Sequence, residues 1–155
     1  MSIEEWIKIS NSFSDINDCI PYEFSVRGAS MLPLIRSGMD SITIVPCSDR
    51  TLKAGDIILF RFPESEMKYM LHRIKSISDD GEHIVTMGDG NPGPDRPIIY
   101  EDVVGYAIKI RRGRLSIDPN SKISRELNRI WMSLGHNRRF ILRVLIKLGG
   151  VIHGT

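Results

Sequence analysis

The sequence predicts a mainly β fold: a folded sheet or barrel core with an N-terminal helix and C-terminal helices. Three observations predict it. Between Glu23 and Gly113, short alternating or β-branched runs are separated by Gly, Pro and Asp turns. On either side of that stretch the apolar residues return at helical spacing. No repeat or low-complexity tract interrupts the pattern. The 155 residues then divide into an N-terminal helical extension (1–22), a β domain (23–116) and a basic helical extension (117–155).

The elements follow in order. Residues 2–20 read as a short helix, with Ile3, Trp6, Ile7, Phe13 and Ile16 near one face and Pro21 as its stop. Phe24-Ser25-Val26 alternates. Ser41 to Val45 is a β-rich run ended by Pro46, and Asp56 to Phe62 reads as a buried strand. Met67 to Ile77 is a long strand that puts Met70, His72, Ile74 and Ser76 on one face. Asp79-Asp80-Gly81 is a turn, His83 to Met87 a strand, and Val103 to Ile110 closes the series. Farther on, Ile123, Leu127, Ile130, Trp131 and Leu134 share helical spacing, broken at Gly135. A last helix runs from Asn137 to Leu148, with Gly149-Gly150 after it.

Composition narrows the functional classes. An apolar fraction of 41% supports a packed core and excludes a disordered chain. Cys19 and Cys47 form neither a C-x-x-C pair nor zinc-ligand spacing, which points to a reducing compartment and no metal. No run approaches the roughly 18 apolar residues of a membrane span. The first residues, MSIEEWIKIS, have the wrong charge for a secretory leader. The expectation is a cytoplasmic chain. Charge is uneven: residues 1–110 hold 11 bases and 17 acids, residues 111–155 hold 10 bases and 2 acids. That basic tail calls for an anionic partner.

Three places carry chemistry. In Gly28-Ala29-Ser30-Met31-Leu32-Pro33, a small-residue turn exposes one hydroxyl and lets a substrate backbone approach closely. A serine hydroxyl needs a base to act as a nucleophile, and its own N–H is suited to an oxyanion hole. Leu71-His72-Arg73-Ile74 supplies an imidazole, which titrates near neutrality and accepts a serine proton at working pH. The Gly/Pro loop from Thr86 to Asp95 holds two aspartates, Asp89 and Asp95, either of which is suited to orienting that imidazole. A calcium loop does not fit here: Pro94 stands at the position that needs Gly, and Tyr100 at the one that needs Glu.

In order and spacing, these pieces resemble the type I signal peptidases and their relatives, the LexA-type self-cleaving repressors. The resemblance covers residues 24–106. It rests on Val26 to Pro33, Gly38 and Asp40 with Met39 inserted, Gly55 to Phe60, Leu71 to Ile74, Gly88 to Asn91, and Asp102 to Gly105. It implies the fold of that superfamily, Ser30 as nucleophile and His72 as base. Histidine stands where most bacterial members carry lysine, as in the endoplasmic-reticulum branch and its spore-former cousins. Asp95 is the favoured orienting acid and Asp89 the alternative, with Asp89 read as organising the turn. Gly28, Ala29 and Met31 are expected beside the oxyanion and substrate. Lys75, the rival base, faces the other side of a regular strand.

The sequence also departs from the family. Gly28 stands where many members place a serine that helps bind the oxyanion. The first 22 residues are too short for the signal peptidases' membrane helix or the repressors' DNA-binding domain and linker.

In the last helix Phe140, Ile141, Val144, Leu145 and Leu148 share a face, flanked by Arg139, Arg143 and Lys147. Such a helix suits peripheral contact with an anionic membrane through residues 138–148. Aromatic content is too low for a nucleic-acid stacking surface. The expected activity is that of a serine endopeptidase with no cofactor, acting on a peptide or precursor protein. The resemblance adds a preference for a small residue at the cleavage site. The alternatives are an inactive peptide-binding module of the same fold and a self-cleaving regulator.

Overall fold

The computed structural model describes residues 1–10, 12, 20–46, 51–62, 69–135 and 137–152, the last four by backbone alone. Its elements are α1 (Ile3–Ser10), β1 (Tyr22–Ser25), β2 (Asp40–Val45), β3 (Ile57–Arg61), β4 (Tyr69–Ile77), β5 (His83–Met87), β6 (Ile98–Ile99), a 3₁₀ turn (Tyr100–Asp102), β7 (Val103–Arg112), β8 (Leu115–Ile117), α2 (Lys122–Ser133) and α3 (Asn137–Ile152). The protein is mainly β.

All strands join one antiparallel sheet in the order β1-β2-β7-β3-β4-β5-β6, with β8 paired to β7. The spine is β7. It pairs with β2 along one edge, while β3 and β8 share the other end to end. Successive residues of β3 go to opposite faces: Ile57 and Leu59 join one core cluster, Ile58 and Phe60 the other. With both faces covered, the strand reads as a continuous apolar run. Trp6 from α1 is fully buried in the first cluster. Its indole N–H donates to the Ile20 carbonyl at 2.6 Å, and its ring stacks on Tyr22 at 5.5 Å.

Several expectations change. A bulge between Ile74 and Ser76 breaks the alternation of β4, so Ile77, not Ser76, joins Met70 and Ile74 in the second cluster. Strands β6 and β8, of two and three residues, are too short for a periodicity to reveal. The last helix continues through Gly149 and Gly150 to Ile152. Glycine costs a helix about 1 kcal/mol relative to alanine and does not by itself end one. Phe13, Ile16, Cys19, Cys47 and Met67 lie outside the described residues.

Helix α2 starts at a Ser121 cap that accepts the Ser124 N–H at 3.2 Å, and Gly135 follows its end at φ 52°. Its apolar row faces outward, with Ile123, Leu127 and Ile130 exposed by 74, 63 and 53%. Helix α3 buries Arg138 and Leu142 and exposes Phe140, Val144, Leu145 and Leu148. Among the described residues, no helix is long and apolar enough to cross a membrane.

Candidate active site

The loop from Val26 to Asp40 carries Ser30. Gly28 turns it at φ 96° and donates its N–H to Ser37 Oγ at 3.1 Å, and the Gly38 N–H meets the Val26 carbonyl at 3.1 Å. Met31 and Ile35 anchor the loop in the core, and the Leu32–Pro33 peptide is cis. Buried Asp40 holds the far side. It accepts the Arg36 N–H at 2.8 Å and a two-pronged contact from Arg112, which also donates to the Leu34 carbonyl at 2.8 Å. Burial pushes the Asp40 carboxyl up, but Arg112 and Arg36 outweigh it and hold the group below the ordinary carboxylate range.

His72 stands on β4 opposite Ile58 of β3, 2% exposed, with the Phe60 ring 6.2 Å away. Its Nδ1 lies 2.6 Å from Asp95 Oδ2, and Thr86 Oγ1 donates to the same oxygen at 2.7 Å. The Asp95 N–H is tied to the Thr86 carbonyl at 2.8 Å. Burial raises the Asp95 carboxyl, but the bonds from His72 and Thr86, with the attraction of the imidazole, lower it further, leaving it below its usual range. An ionised carboxylate only accepts, so Nδ1 carries the proton and donates. A neutral ring then leaves a lone pair on Nε2, the form a general base requires. Among the described residues Nε2 has no hydrogen-bond partner, and it is not sealed from solvent.

Ser30 reaches the same face through glycines. The Gly90 N–H donates to the Ser30 carbonyl at 2.7 Å, and a Cβ on Gly88 would lie 2.6 Å from that carbonyl. Arg73 pairs with Met87 and Ile74 with Thr86, and the same register carried one residue past the end of β5 sets Gly88 opposite His72. Directly opposed residues point to one side of a sheet. The Ser30 backbone therefore lies against the side of the sheet that bears His72, Thr86 and Asp95. Among the described residues the N–H groups of Ala29, Ser30 and Met31 donate to no acceptor, and Ser30 Oγ makes no hydrogen bond, to His72 or otherwise. Three adjacent free N–H groups suit an anionic oxygen. Gly28 has no free N–H to offer, and Met31 offers its backbone alone: its side chain, 2% exposed, belongs to the core.

Asp89 takes a different part. It forms a buried two-pronged pair with Arg73, at 2.8 and 2.9 Å, and Arg73 also donates to the Gly55 carbonyl at 2.7 Å. The Asp89 carbonyl accepts Trp131 Nε1–H at 2.8 Å and Arg138 Nη1 at 3.4 Å. From α2, Arg125 meets buried Asp56 at 2.5 Å. Lys75 is exposed beside the bulge and lines a cavity that does not include His72. Sequence reasoning missed Thr86, Arg73, Arg112, Arg125, Trp131 and Arg138. The aspartates stood out as turn residues after glycine, but nothing local marks the distant arginine each one meets.

No family model matches the chain, and no curated protein and no solved structure matches it.

Proposed function

We propose that the protein is a serine endopeptidase of the signal-peptidase and LexA type, with the corresponding fold, Ser30 as nucleophile, His72 as general base and Asp95 as orienting acid. One observation carries the proposal: the 2.6 Å contact between His72 Nδ1 and Asp95 Oδ2, which leaves Nε2 free on the side of the sheet against which Ser30 packs. In the substrate complex, Ser30 Oγ and Nε2 come within about 2.6–3.2 Å. The Ser30 proton passes to Nε2 as Oγ bonds to the scissile carbonyl carbon, and the oxyanion is held by the free N–H groups of the 29–31 turn. The imidazolium then protonates the leaving amine. Water, deprotonated by the same nitrogen, releases the acyl group.

Strand β1 pairs with β2 alone among the described residues, and an edge with no described strand on it suits an extended peptide running toward Ser30. The outward apolar residues of α3, with Arg139, Arg143 and Lys147, support peripheral contact with an anionic membrane.

The test is covalent capture. The purified protein should gain the mass of an acyl group from a serine-directed acylating inhibitor, and Ser30→Ala should abolish both the adduct and peptide cleavage while leaving the circular dichroism spectrum unchanged. An adduct or cleavage that persists in Ser30→Ala overturns the mechanism. The absence of a Ser30–His72 hydrogen bond favours the second reading, a peptide-binding module of this fold that does not cleave. Peptide capture without any adduct would select it.

A further inference from the structure

Beside the site, β4, the 92–94 segment and the inward side of α2 enclose a cavity of about 590 Å³. Among the described residues five basic side chains line it, Arg73, Lys75, Arg125, Arg129 and Arg138, and no carboxylate does. Three of the five are already matched. Arg73 is paired with Asp89, Arg125 with Asp56 and Arg129 with Glu126. Lys75 and Arg138 have no carboxylate partner among the described residues. The lining therefore carries two uncompensated positive charges.

Arg138 is the telling one, because it is only 7% exposed. Its Nε donates to the Gly135 carbonyl at 3.1 Å, and its Nη1 lies 3.4 Å from the Asp89 carbonyl and 2.9 Å from Met132 Sδ. Its Nη2 has no partner among the described residues and is not sealed from solvent. A guanidinium withdrawn from water without a counter-charge is unfavourable. Lining a cavity, it becomes a preformed half of an ion pair.

We propose that this cavity binds a phosphate group. A phosphate monoester carries about 1.5 to 2 negative charges at neutral pH, which matches the surplus, and offers three acceptor oxygens. A guanidinium recognises such an oxyanion through two parallel N–H groups, and an ammonium adds a point charge. The volume also leaves room for an organic substituent on the phosphate. The group comes either from a small soluble ligand or from a lipid headgroup. The inference does not rest on the peptidase reading, since neither Ser30 nor His72 lines the cavity.

Calorimetric titration with inorganic phosphate at constant ionic strength tests it. One saturable site per chain is expected, and in proton–nitrogen spectra the Gly55 and Gly93 amides, both on the cavity wall, should move with the titration. Lys75→Gln and Arg138→Gln should each weaken binding by about tenfold, the loss of one charge-assisted contact. Lys8→Gln, on the exposed side of α1 and outside the cavity lining, should bind as the parent does. Lys75 is exposed, so its variant keeps the test valid even where Arg138→Gln fails to fold. Phosphatidylcholine vesicles with and without phosphatidic acid distinguish the source. Phosphatidic acid binding that is lost in Lys75→Gln assigns the site to a headgroup; phosphate binding alone assigns it to a soluble ligand. If neither probe binds, or if both variants bind like the parent, the proposal is overturned.

Discussion

His72 divides its two ring nitrogens between different tasks. Nδ1 is committed to Asp95 and Nε2 is left open, so the carboxylate decides which nitrogen can accept a proton. Asp95→Asn removes that decision. On the proposed reaction its turnover should fall by about 10³- to 10⁴-fold with KM little changed, as seen when a triad loses its acid. The pH dependence of stability follows from the same contact. The Asp95 carboxyl is depressed in the folded chain, so its contribution is complete above the unfolded value of about 4 and fades as pH falls through the folded one. The stability advantage of the parent over Asp95→Asn, read from melting curves, should shrink as pH falls below about 5 and be least in strong acid. Gly88 is the second residue-scale test. A methyl group there meets the Ser30 carbonyl at 2.6 Å, so Gly88→Ala should displace the Ser30 backbone and, on the proposed reaction, slow cleavage even where the chain still folds. Ser30, His72 and both aspartates stood out in the sequence because each is a reactive or turn-forming type in a short, ordered pattern. The residues alone left both Asp89 and Asp95 eligible, because both belong to one Gly/Pro loop, and it was the resemblance that favoured Asp95. The choice depends on how the loop folds back: Asp95 beside Thr86, Asp89 toward Arg73.

At the scale of elements, the loop after β5 is held from two directions. Arg73 of β4 grips the Asp89 carboxylate, and Trp131 of α2 grips the Asp89 carbonyl. The next residue, Gly90, holds Ser30. Trp131→Phe removes the N–H and keeps most of the ring. It should cost about 0.5–1.5 kcal/mol of stability, and on the proposed reaction cleavage should fall with it, because a looser loop positions Ser30 less well. Unchanged kinetics in Trp131→Phe would detach the helix from the site. The long strands were legible because their side chains alternate or run apolar over five or more residues. β6 and β8 were not, since a periodicity needs more than two or three residues. The bulge in β4 was invisible for another reason: an extra residue is defined by its partner strand, and the partner lies in a different part of the chain. In α2 the helical spacing was legible, but the side it turns to the body was not. Arg125 faces inward to Asp56 while Ile123, Leu127 and Ile130 face outward. Spacing defines a row; only tertiary contact decides what the row meets.

For the whole molecule, charge and apolar exposure coincide at one end of the sequence. Residues 111–155 hold 10 bases and 2 acids, and this segment also carries the outward apolar residues of both C-terminal helices. An interfacial helix combines apolar contact with attraction to anionic headgroups. In sedimentation with vesicles, the protein should bind phosphatidylglycerol-containing membranes better than neutral ones. Replacing Arg139, Arg143 and Lys147 with glutamine should weaken that binding by about 100-fold, at roughly 1 kcal/mol per basic residue. Rising salt should weaken the parent more than the triple variant. Binding that ignores both lipid charge and salt would exclude the membrane role. The uneven charge was plain in the sequence, whereas the exposure of the apolar row depends on how the helices meet the sheet.

The two tryptophans are placed so that each reports on a separate event. Trp6 is sealed in the core next to the edge strand, and Trp131 joins a C-terminal helix to the loop behind Ser30. Intrinsic emission from a Trp131→Phe chain would follow global melting alone, and emission from a Trp6→Phe chain would follow detachment of the helix. Compared in one denaturant series, the two signals would reveal whether that helix lets go before the sheet does, without attaching any dye.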